Sequence, residues 1–108
     1  MFLDAHAPVQ PTYSNSEIRK LIHSAKTSED FKHLADYFDY RAMEFEQKSQ
    51  DELKELQRLL ALPFHARSYG DQVENTRNLI KLYRERARES AAQADAYREH
   101  ATENSPTE

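Results

Sequence analysis

YFDYRAME, residues 37–44, is echoed by LYRERARE, residues 82–89, and this repetition decides how the chain folds. At that offset Arg41 aligns with Arg86, Ala42 with Ala87 and Glu44 with Glu89. Phe38 aligns with Tyr83 just ahead of them, and Leu34 with Leu79 one helical turn earlier. Outward from the first copy, Phe31, Phe38, Phe45 and Leu59 follow a seven-residue period, with Glu52 in the remaining slot. Ala35, Ala42, Ser49 and Leu56 interleave four residues on. Outward from the second copy, Val73, Ile80, Ala87, Ala94 and Ala101 keep the same period, interleaved with Thr76, Tyr83, Ser90 and Tyr97. Alternating steps of three and four residues draw one narrow apolar seam along a helix. The echo is one helix pattern written twice.

Folding the chain back near residue 66 closes the two seams on each other. Phe31 then faces Ala101, Ala35 faces Tyr97, Phe38 faces Ala94, Phe45 faces Ala87 and Ser49 faces Tyr83. Large residues meet small ones at nearly every layer, as interdigitated packing requires. Heptad spacing with small residues suits an antiparallel crossing near +20°. The expected fold class is therefore all-α: a long, coiled-coil-like antiparallel helical hairpin built on an internal repeat.

The flanking sequence completes the organisation. Residues 1–14, with Pro8 and Pro11, read as an extended lead-in to a single helical domain over 15–102. Its helices are expected at about 16–26, 28–62 and 71–102, with a disordered tail at 103–108. Ser14 or Ser16 suits the cap of the first helix, and Thr27 opens T-S-E-D as the cap of the second. Pro63 stops the second, and the connector PFHARSYG holds Gly70, the one glycine of the chain. Ten or so residues are too few for an isolated helix, so the first must bury Ile18, Leu21 and Ile22. It is expected to pack at the open end of the hairpin over Leu34, Tyr37 or Tyr97.

Composition narrows the function. With 38% apolar and 31% charged residues and a mean hydropathy of −0.97, thin seams are expected instead of a thick core. A net charge of −4 argues against a nucleic-acid partner, and short apolar runs argue against membrane insertion. The absence of cysteine excludes disulfides, thiolate metal sites and cysteine nucleophiles. The start, MFLDAHAPVQP, lacks the basic and apolar segments of a signal peptide.

Candidate chemistry is sparse. His33 and His100 fall nearly opposite at the open end, with Glu29 and Glu103 each about one turn away and Asp30 near. Two imidazoles with carboxylates are a ligand set for zinc or another divalent ion. That cluster is the one route to a cofactor or small ligand; otherwise none is expected. No nucleophile stands with a base and an oxyanion site, and a lone glycine makes no phosphate loop, so no enzyme is expected. The basic run Arg77, Lys81, Arg84, Arg86, Arg88 is expected to pair with Glu44, Glu46, Asp51, Glu52 and Glu55 across the seam. Glu52, inside the seam, is expected to reach Lys81. Tyr37 and Tyr40 point away from the seam, toward the first helix or a partner.

HLADYFxxRAxE from His33 and NLIKLYxxRAxE from Asn78 resemble a group of small bacterial envelope or secreted proteins of unknown function. There a leucine, an aromatic pair and an alanine-rich acidic tail recur in two long helices, usually behind a signal peptide. The likeness covers about residues 27–101 and implies a periplasmic or secreted location, but no reaction. The expected function is a non-enzymatic helical interaction module, acting as a homodimer or on an envelope protein. Leu53, Leu60, Leu79 and Leu82, with Phe64 and Tyr69 of the connector, form the expected interface, because a two-helix seam cannot use them all.

Overall fold

A computed structural model of the chain describes residues 13–63 and 68–104. It has three helices, α1 (Asn15–Ser24), α2 (Ser28–Leu60) and α3 (Tyr69–Glu103). The long helices α2 and α3 pack as an antiparallel hairpin, as their matching heptads require. No helix among the described residues is long and apolar enough to cross a membrane.

Local chemistry sets each boundary. Ser14 and Glu17 form a reciprocal capping box at α1: the Glu17 amide donates to Ser14 Oγ at 3.1 Å. The Ser14 amide donates to Glu17 Oε1 at 2.7 Å. The first helix ends at Ser24, short of residue 26, because the next amides are claimed by the start of α2. Lys26 and Thr27 both donate their amides to Asp30 Oδ2, while the Asp30 amide donates to Thr27 Oγ1 at 3.0 Å. The second helix stops at Leu60 instead of residue 62. Proline at 63 disfavours the helical conformation in the residue before it. The last amides tighten accordingly, with Leu62 N–H on the Leu59 carbonyl at 3.2 Å. The third helix starts at Tyr69, two residues early: the Gln72 amide closes the first turn on the Ser68 carbonyl at 3.0 Å, and Gln72 Nε2 donates to Ser68 Oγ at 3.1 Å. Gly70 thus lies in the first turn of α3 and not in the connector.

The chain divides into two compact units, residues 1–41 with 89–108, and residues 42–88. In the first, the Tyr97 ring stacks between Phe31 (6.3 Å between centroids) and Phe38 (5.7 Å), nearly parallel to both. That centres Tyr97 across from Ala35, in the expected register. Leu34 and Ala94 are completely buried, and Ala35, Ser90 and Ala101 nearly so. Asp39 and Arg98, each one residue past a seam aromatic, form an ion pair across the helices. Ile18 is buried, Leu21 is half-buried, and Ile22 stays largely exposed. The buried face of α1 is therefore narrower than the sequence suggested.

In the second unit Phe45 and Tyr83 stack at 6.3 Å, and the Lys48 ammonium lies within 6 Å of both rings. Leu59, Val73, Thr76, Ile80 and Ala87 are buried side chains of this unit. Ser49, also buried, donates its hydroxyl to the Glu46 carbonyl at 2.7 Å. Among the described residues no buried side-chain polar atom lacks a hydrogen-bond partner. In both units rings meet rings, where the sequence suggested only large residues against small ones.

Candidate functional site

The histidines at the open end form two separate pairs. His33 Nε2 lies 3.5 Å from Glu29 Oε2, and His100 Nδ1 lies 3.5 Å from Glu103 Oε1. His100 rests against Phe31 at 5.3 Å, whereas His33 meets Tyr13 edge-on at 6.3 Å. Residues 31 and 33 are about 200° apart around a helix, so the two imidazoles face different sides. Asp30 is occupied as a cap; its amide donors at Lys26 and Thr27 hold its carboxyl below the ordinary range. Among the described residues no group of three or more His, Asp or Glu side chains is arranged to hold a metal. An open groove between α1 and α2 runs past Tyr13, Lys20, Leu21, Asp30 and His33, with polar and apolar lining mixed.

The expected interface residues lie in the 42–88 unit. Leu60 is 50% exposed and Leu82 41%, while Leu53, Leu79 and Tyr69 are half-buried. Phe64 lies outside the described residues. Met43 (46%) and Leu62 (37%) extend the exposed apolar surface.

Antiparallel geometry then divides these leucines. The Asp39–Arg98 pair shows that residues following the seam aromatics of α2 and α3 share a flank. Leu53 follows seam position 52, and Leu60 follows Leu59. On α3, Arg77 follows Thr76 and Arg84 follows Tyr83. Leu53 and Leu60 therefore border the flank of Arg77 and Arg84. Leu79, which precedes Ile80, borders the opposite flank, and Leu82 lies one turn from it on the same face. One apolar patch in the sequence is two in space.

Charge pairing departs from expectation as well. Glu55 pairs within its own helix, with Arg58 at 2.6 and 2.9 Å, and that bond holds its carboxyl below the ordinary range. Asp51 accepts from Gln47 on the same helix. Arg77, Lys81, Arg84 and Arg88 have no ion-pair partner among the described residues, and none joins Glu52 to Lys81. For Glu55 and Asp51 the physical reason is directional: they lie toward the Leu79 flank and the four cations toward the other, which Glu46 alone of the exposed expected acids shares. Counting one step before or after each seam position separates Asp51 and Glu55 from the four cations in the sequence itself.

No protein-family model, curated protein or solved structure matches the chain, so the residues alone carry the functional reading.

Proposed function

We propose that the chain is a non-enzymatic helical interaction module that self-associates through residues 42–88. One observation carries this reading. Among the described residues five large apolar side chains are exposed, and of these Ile22 lies outside that unit while Met43, Leu60, Leu62 and Leu82 lie within it. Large apolar side chains exposed on an otherwise charged surface are of the kind that interaction sites bury.

Of these side chains Leu82, beside half-buried Leu79, lies on the flank assigned to self-association, while Met43 (after Ala42) and Leu60 (after Leu59) lie on the other. A two-fold interface brings the same patch onto itself, so the patch must be self-complementary. The Leu82 flank offers both signs of charge, with Lys48 and Arg58 near Asp51 and Glu55. The opposite flank offers cations from α3, which a two-fold axis would bring together. In the compartment that the resemblance implies, an envelope protein is the alternative occupant. Sedimentation velocity of the full chain from low to high micromolar concentration is the test. A mass rising from monomer to dimer supports the reading, and a monomer throughout overturns self-association.

A further inference from the structure

On the other flank of residues 42–88, α3 is predominantly basic. Arg77, Lys81, Arg84 and Arg88 follow i, i+4, i+7, i+11 spacing, one face of α3 over about 16 Å. All four are exposed and unpaired among the described residues. Across the flank, Gln50, Leu53, Gln57 and Leu60 of α2 are uncharged, and Glu46, one step past Phe45, is the acid that shares this side. Like charges at these spacings repel, and stable helices usually relieve them with interspersed acids. Here Glu74, three residues before Arg77, and Glu85, four after Lys81, interrupt the run but form no ion pair with it among the described residues, and two leucines seven residues apart lie alongside.

We propose that this flank docks an amphipathic, acidic helix of a partner protein. Its apolar side chains pack on Leu53 and Leu60, and its carboxylates pair with Arg77, Lys81, Arg84 and Arg88. The proposal rests on the reading of the chain as an interaction module, but not on its self-association. Leucines at heptad spacing fit the seam of a third helix, and the cations fix the sign of that helix. The chain already uses this solution once: in the other unit α1 packs on the start of α2, where Leu34 flanks the seam and is completely buried. A phosphate backbone would match the cations and leave the leucines wet. A lipid surface calls for a broader apolar face than two leucines provide. A second copy related by a two-fold axis would set cation against cation.

The test uses the full chain and a fluorescent helical peptide of three heptads, about 21 residues, with leucine at the seam and glutamate beside it. Its controls are the same peptide with lysine for glutamate, a short DNA duplex, and phosphatidylglycerol-containing vesicles. The acidic peptide is expected to bind, and its lysine counterpart to fail. Arg77→Glu with Arg84→Glu should weaken binding at least ~10-fold, and Leu60→Ser several-fold, with helicity unchanged. Should the charge-reversed chain unfold, Arg77→Gln with Arg84→Gln serves instead. Equal binding of the two peptides, indifference to the arginine substitutions, or preference for DNA or vesicles would overturn the proposal. A chain that binds the acidic peptide yet stays monomeric would sink self-association alone.

Discussion

Tyr97 shows what a single residue contributes to this fold. Its ring fills the space between Phe31 and Phe38, so its neighbours along α3 must be small for the helices to approach. Ala94 meets that demand with no exposed surface at all. Ala94→Leu would force extra methylenes into a filled layer and should cost about 1–3 kcal/mol. Ala92→Leu, on the exposed face of the same helix, should stay within about 0.5 kcal/mol. Urea denaturation of the two variants checks both figures, and equal costs would mean that Ala94 is not in the seam. At this scale the sequence was informative, since heptads named every residue buried on α3. It did not foresee ring stacking, because a heptad fixes the layer of a side chain and not its torsions. Nor did it foresee that the His33 and His100 rings would diverge, since neither residue holds a seam position.

Helix ends were legible where a side chain dictates them and less so where a turn does. The Thr27 cap follows directly from T-S-E-D, and its closing carboxylate is Asp30. Because Asp30 titrates below its ordinary value of 3.8 when folded, its contribution is complete above that value. It is lost as pH falls through the lower, folded value. The Thr27 amide should therefore lose hydrogen-exchange protection on acidification below about pH 4 in the unmodified chain. In Asp30→Asn that transition should be absent; if it persists, another acid is responsible. Gly70 was misplaced because glycine is an ordinary turn signal, whereas the Gln72 amide bonds back to the Ser68 carbonyl and so encloses it in the first turn of α3. A methyl group there would meet nothing within 4 Å. Gly70→Ala should then stabilise the chain by about 0.4–1 kcal/mol, read as a raised urea midpoint. A lowered midpoint would show that the glycine is needed for its conformation.

For the molecule as a whole, the sequence gathered four leucines into one surface, and three-dimensional direction separates them. A residue just before a seam position and one just after it lie on opposite flanks, however close in sequence. The stretch of α3 in the 42–88 unit, 20 residues from Tyr69 to Arg88, is about 30 Å long and, with side chains, about 10 Å wide. Even with the adjoining face of α2, two such flanks would bury on the order of 600–1,200 Å², the low end for specific association. Self-association through Leu79 and Leu82 should accordingly be weak, with dimers accumulating only toward high micromolar concentration. Leu82→Glu puts a carboxylate in the middle of that surface and should leave a helical monomer. Leu53→Glu puts the same charge beside Arg84 on the other flank, where it relieves cation repulsion, and should leave the dimer intact. Sedimentation of the two variants beside the unmodified chain separates the flanks. If Leu53→Glu dissolved the dimer and Leu82→Glu did not, the basic flank would be the self-associating one and its cations would need a different account.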